Sequence, residues 1–192
     1  MDLRGKEAAS LSSLVKKEYQ IPDSYYFGEV KRGLRNSDGT GVLIGVTKVG
    51  SVQGYLIEDG RRIPVPGKLY YRGIDLNEIV EAHRKSGTFG YEEVAYLLLM
   101  GHLPTKSELS YFNDIMCRAR KLPEGFTEGM IMRHPSRDIM NDLARSVLLL
   151  YSYDENPDDI SIPNVLRQCL QLIAIFPMLS VYGYQSYQHY HL

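Results

Sequence analysis

The spacing of apolar side chains changes several times along the chain, and each change predicts an element. Over residues 2–19, Leu3, Leu11, Leu14 and Val15 fall near one helical face, and Pro22 ends the pattern. The Gly-rich stretch "NSDGTGVLIGVTKVGSVQGYLIEDGRRIPVPG" then reads as strands. Within it Asp59-Gly60 separates two β-prone runs, and Asp-Gly favours the positive φ angles of a type I′ turn, so a hairpin is predicted. Pro64 and Pro66 cannot donate to a ladder, which predicts an edge position for the second strand.

From Gly73 onward the periodicity is helical. Asp75 with Glu78 forms a capping box and Ile74 with Ile79 a hydrophobic staple, which predicts a helix over 76–85. "YEEVAYLLLM" is a second helix, stopped at Gly101 with Pro104 beyond. Thr105 and Glu108 repeat the capping box and open a third helix. Its stripe is Leu109, Phe112, Met116 and Ala119. Pro135 suits the first turn of a fourth helix, "SRDIMNDLARSVLLLYSY". The acidic 154–159 segment is a solvated loop, and a last helix opens near Pro163. That helix is apolar all round in its middle, so burial among other helices is expected, with a kink at Pro177.

Composition narrows the reading. Of 192 residues, 44% are hydrophobic and 23% charged, enough to bury a core and unlike a disordered chain. A net charge of −1 gives no global attraction to nucleic acid or anionic membrane. The N-terminal residues lack the apolar region of a secretory signal, and the run 170–181 is too short to span a bilayer and contains Pro177. A soluble, cytoplasmic protein is expected. Two cysteines, Cys117 and Cys169, rule out a disulfide framework or a four-cysteine zinc site and read as buried reduced thiols.

Candidate chemistry is sparse. Gly39, Gly41 and Gly45 precede a strand-like run where a dinucleotide fold needs a helix, and no GxxxxGK[ST] occurs. The histidines His83, His102, His134, His189 and His191 form no HExxH pair. On a helix, His189 and His191 point about 200° apart and cannot share one ion, so no metal site is expected. Glu92-Glu93 suits a helix start and Asp158-Asp159 a solvated loop. The fifteen tyrosines read as packing groups rather than base-stacking ones. The one anion-binding candidate is the basic cluster Lys31, Arg32 and Arg35, because a guanidinium donates bidentately to phosphate.

Four stretches together resemble the citrate synthase family. They are "KLYYRGIDLNEIVE" with Tyr71-Arg72-Gly73, "FGYEEVAYLLLMGHLPTKSELSYFN" with Glu92 to Leu99 and Gly101 to Thr105, "HPSRDIMNDLARSVLLL" with His134-Pro135, and the long helix with an internal proline. The chain departs at Ser136, where family members often carry Met. The resemblance implies a mainly α, citrate synthase-like multi-helical large domain, present in part, with a small β-hairpin near the N-terminus. Residues 1–192 are then the N-terminal part of that large domain. Its N-terminal helix and β-hairpin segment occupies 1–70 and its helical body 71–192, and the small domain and catalytic half are absent.

The implied reaction condenses acetyl-CoA with oxaloacetate to citrate and CoA. An Asp removes a methyl proton while histidines stabilise the enol and polarise the carbonyl. Acetyl-CoA is a substrate, no cofactor is implied, and a homodimer or other self-association is expected. The family's catalytic residues lie in Leu-His-Gly-Gly and Gly-His-x-x-Tyr type turns, neither of which occurs here, so no catalytic residue is carried over and the chain alone is expected to be inactive. Gly33-Leu34-Arg35 matches a family turn whose Arg contacts CoA phosphate, which makes Arg35 the cofactor-binding candidate. The alternatives are a 2-methylcitrate synthase fragment using propanoyl-CoA and a non-catalytic helical interaction module. The bunched "YGYQSYQHYHL" is read as packing groups on a helix that continues in the family.

Overall fold

A computed structural model describes residues 5–25 and 47–191. It is mostly helical with one small sheet, as expected. The chain divides into two compact units: residues 14–109, and residues 110–192 together with 1–13.

In the first unit, β1 (Gly50–Glu58) and β2 (Arg61–Tyr71) form the expected antiparallel hairpin. Asp59 and Gly60 have φ of 49° and 74°, the positive pair a type I′ turn requires. The edge expectation for β2 is corrected, because a two-residue β3 (Ile74–Asp75) pairs with it and makes β2 the middle strand. β3 reaches only Tyr70 and Tyr71, so among the described residues Pro64 and Pro66 sit where β2 has β1 alone as partner. The ladder slips between Gln53 and Tyr55, opposite the proline-bearing stretch.

α2 (Leu76–Ser86) starts where Asp75 accepts from the Asn77 amide, and ends at Gly87 with φ 65°. It packs on β2 and β3 and buries Ile79. α3 (Tyr91–Met100) buries Ala95, Tyr96, Leu97 and Met100. A fully buried leucine contributes about 2 kcal/mol, so Leu97 at 0% exposure is a main anchor of this helix. α4 (Lys106–Ala119) opens with the complete capping box: Thr105 N donates to Glu108 Oε2 at 2.8 Å, and Glu108 N to Thr105 Oγ1 at 3.3 Å.

In the second unit, Phe112, Met116 and Ala119 of α4 are buried as expected, joined by Ile115. Cys117, on the other face, is exposed, which corrects the buried-thiol reading; Cys169 is half-buried. A π-helical turn, Thr127–Met132, had no sequence signal and buries Ile131. α5 runs Ile139–Leu150, capped by Asp138, whose carboxylate accepts from the Met140 and Asn141 amides. The helix therefore starts after Pro135 rather than on it. Pro135 lies in a turn that Asp142 and Arg145 hold: the Asp142 carboxylate accepts from Ser136 N and Arg145 Nη2, and Arg145 also donates to His134 O at 2.7 Å. The Ser136 hydroxyl accepts from Asp138 N at 3.0 Å.

α6 (Ile162–His191) continues through Pro177 for 30 residues. It packs against α5 and the π turn. Leu166, Leu170, Ala174, Ile175, Leu179, Gly183 and Ser186 are buried, while Phe176, Val181 and Tyr184 face outward, so burial is one-sided rather than all round. Phe126, Ile131, Leu150, Ile175 and Leu179 form the centre of this unit's core. The bilayer reading also needs correction: α6 taken whole has a window of mean hydropathy 1.5 and is long and apolar enough to cross a membrane by length and composition alone. Its buried stripe against α5 is the pattern of a helix seated in a protein core.

Candidate functional site

The cofactor-binding candidate Arg35 lies outside the described residues, as do Lys31, Arg32 and the glycines Gly39, Gly41 and Gly45. The five histidines are dispersed. His83 and His102 belong to the first unit, and His134, His189 and His191 to the second. His189 and His191 are both helical, and their rings contact different tyrosines, Tyr190 at 4.7 Å and Tyr187 at 5.6 Å. Glu92 and Glu93 occupy the first turn of α3, where the helix dipole favours carboxylates.

The polar groups of the first unit gather around α3. At its C-terminal end the Leu98 carbonyl accepts three bonds: Arg72 Nη2 at 2.9 Å, Arg72 Nε at 3.3 Å and the Tyr19 hydroxyl at 3.0 Å. The Arg72 guanidinium also lies 4.7 Å from the centre of the Tyr19 ring. A cation here meets the negative end of the helix dipole and satisfies a carbonyl the helix leaves open. Arg72 reaches it from a left-handed backbone conformation, φ 50°. The sequence flagged Tyr71-Arg72-Gly73 as a motif but gave no sign of this geometry.

At the start of α4, Glu108 is a hub. Backbone and hydroxyl hydrogen bonds from Thr105 hold its carboxyl below the usual range, with His102 adding to the effect. Burial, and then the Glu108 charge, push the Tyr96 phenol up. Each partner is committed to a cap or a buried ring, so the cluster orders the α3–α4 corner and offers no free base.

In the second unit a cavity of about 210 Å³ opens between α5 and α6, lined by Leu150, Tyr151, Asp154, Gln168, Leu172 and Ile175 among others. Asp154 departs from the solvated-loop expectation. Arg167 Nη2 donates to both oxygens of the Asp154 carboxylate, at 2.7 and 2.8 Å, and Gln168 Nε2 donates to Oδ2 at 3.0 Å. Burial alone would raise its pKa; the bonds from Arg167, Gln168 and Asn156 N outweigh that and hold it down. Tyr151 donates to Asp158, whose carboxylate pushes the phenol pKa up. Burial pushes the Cys169 thiol up, the wrong direction for a nucleophile. The cavity is therefore walled mainly by apolar side chains; its charged lining residue, Asp154, is already paired with Arg167, and no nucleophile with a base beside it lines it.

Similarity to known proteins supplies what the geometry does not. A sequence profile described as "Citrate synthase, C-terminal domain" matches residues 38–191. The citrate synthase of Corynebacterium glutamicum is 34% identical over 123 residues, 62% of this chain and 26% of that protein. The 2-methylcitrate synthase of Shewanella oneidensis is 31% identical over 117 residues, 61% of this chain and 29% of that protein. Among solved structures, citrate synthase from Pyrobaculum aerophilum superimposes with a TM-score of 0.60 at 26% identity, covering 81% of this chain and 39% of that one. The chain thus spans between a quarter and two-fifths of the length of these relatives.

Proposed function

Since the chain belongs to the citrate synthase family, we propose that residues 1–192 are the N-terminal part of the large domain of an enzyme that condenses acetyl-CoA with oxaloacetate. The profile match over 38–191 supports the family part of this reading. The order of Tyr71-Arg72-Gly73, the α3 run and His134-Pro135 supports it. The reaction needs a carboxylate to take a methyl proton from the thioester and donors to hold the enolate oxygen. Asp75, Glu108, Asp138 and Asp154 are engaged in caps and ion pairs, and the base and the enolate donors are proposed to come from sequence outside these residues. The residues here provide scaffold, and Arg35 a contact to CoA phosphate.

The reading is tested by CoA-thiol release with acetyl-CoA and oxaloacetate. The 192-residue chain alone releases none above background, and clear turnover would refute its role as scaffold. In a longer chain that is active, Arg35→Ala raises the KM for acetyl-CoA several-fold and leaves that for oxaloacetate unchanged; equal KM values remove Arg35 from the site.

A second reading has its own support, because 2-methylcitrate synthases match at identities close to those of citrate synthases. In that case propanoyl-CoA outcompetes acetyl-CoA in the same longer chain. We further infer a homodimer in the cytoplasm. Exposed apolar side chains on α5 (Met140, Leu148) and α6 (Phe176, Val181, Tyr184) favour a second copy as cover.

A further inference from the structure

The corner between α2 and α3 holds an imidazole whose two nitrogens face a hydroxyl and a carboxylate. His83 stands in the last turn of α2, with a side chain 16% exposed. Its Nδ1 lies 2.8 Å from Thr88 Oγ1, and that hydroxyl is 2.7 Å from Ser86 Oγ. The ring is seated on Gly90, where a Cβ would stand only 2.5 Å from His83 Cδ2 and 2.7 Å from Nε2. On the far side Nε2 is buried without a hydrogen-bond partner, and the group it faces is the Glu93 carboxylate, 3.6 Å away in the first turn of α3.

A neutral imidazole has one donor and one acceptor. If Nδ1 carries the proton and donates to Thr88, Nε2 presents a bare lone pair to a carboxylate, which repels it. If Nε2 carries the proton, Nδ1 accepts from the Thr88 hydroxyl and the N–H faces the Glu93 carboxylate across 3.6 Å, with no full charge to draw it closer. Only the imidazolium donates from both nitrogens, to Thr88 and to Glu93, and its charge draws the carboxylate inward. The other charges around the corner are engaged elsewhere: Arg84 with Glu81 on α2, and Lys68 with Asp75 on the sheet that α2 packs against. Glu92, the other acid of α3's first turn, has an interaction of its own.

The geometry points to a proton-operated clasp: protonation of His83 ties the first turn of α3 to the last turn of α2 through Glu93, and deprotonation releases it. Histidine is the side chain suited to such a device, because its charge changes within the physiological range. Gly90 is the fixed element, since any side chain there would evict the ring.

Two backbone amides report on the clasp, Thr88 N–H on His83 O and Val94 N–H on Gly90 O. Their hydrogen exchange, corrected for the intrinsic pH dependence, is measured on the 192-residue chain at pH 6 and pH 8. Protection at both falls roughly threefold on going to pH 8, the size of a partly exposed ion pair. Glu93→Gln abolishes that difference, and so does His83→Gln. Ring nitrogen-15 shifts show His83 doubly protonated at pH 6. Equal pH ratios in parent and Glu93→Gln, or a neutral ring at pH 6, overturn the clasp. Should His83→Gln fail to fold, Glu93→Gln still decides, because it removes charge from a side chain that does not seat the ring.

Discussion

Single residues in this chain do their work by satisfying one another, and Asp154 shows the energetic consequence. Its carboxylate and the Arg167 guanidinium are 13% and 18% exposed, so neither is well hydrated if the other is lost. Asp154→Asn leaves a half-buried cation unpaired and destabilises the chain by about 2–3 kcal/mol. The pKa of Asp154 is lowered in the folded state. Its contribution is therefore complete above the ordinary carboxylate range and disappears as pH falls through the depressed value. Urea titrations from pH 7 down to pH 3 should show the gap between parent and Asp154→Asn closing on the acid side. A gap that stays constant with pH would show that the pair contributes nothing by charge. The partner of Asp154 was not legible in the sequence, because Arg167 lies on the next helix and only the folded loop brings them together.

At the scale of elements, the punctuation was legible and the tertiary exceptions were not. Asp75, the Thr105–Glu108 box, the Asp59-Gly60 turn and Gly101 each act through their own neighbours in sequence, and each stands where the pattern predicted. The start of α5 was misplaced because Pro135 is a good first-turn residue, whereas Asp138 is the better cap and Asp142 pins the turn before it. The π turn Thr127–Met132 gave no signal; the buried Ser186 hydroxyl of α6, 55 residues further along the chain, supports it by donating to Ile131 O at 3.4 Å. Gly101 can be tested directly. It has φ 89°, and a Cβ would stand 2.9 Å from the Glu18 side chain. Gly101→Ala should lower stability by about 1–2 kcal/mol, seen as a lower urea midpoint at unchanged slope. An unshifted midpoint would mean the helix ends elsewhere in solution. Glu18→Ala in the same background should recover only the steric part.

For the whole molecule, the family was legible because four separated motifs kept their order, but the reaction was not. Among the described carboxylates, Asp75, Glu108, Asp138 and Asp154 are engaged in caps and pairs, and the basic cluster at Arg35 gives a candidate contact without chemistry. The exposed apolar positions carry the remaining information at this scale. Leu148 is 75% exposed on α5, so its replacement by Glu leaves the fold of a protomer intact. If the parent forms the proposed homodimer, light scattering should then show Leu148→Glu as a monomer, with helical circular dichroism unchanged. A variant that remains dimeric would move the subunit contact away from α5.

The prolines of β2 have a consequence for how the protein behaves in a crowded solution. Among the described residues, the strand along 61–69 is paired on one side by β1, and β3 covers only its last two residues. A free flank of that length could act as a template for stacking one molecule on another into fibrils. Pro64 and Pro66 remove amide hydrogens from that stretch, so a stacked neighbour would find gaps where it needs donors. Replacing both with threonine would keep the hairpin and lose that safeguard.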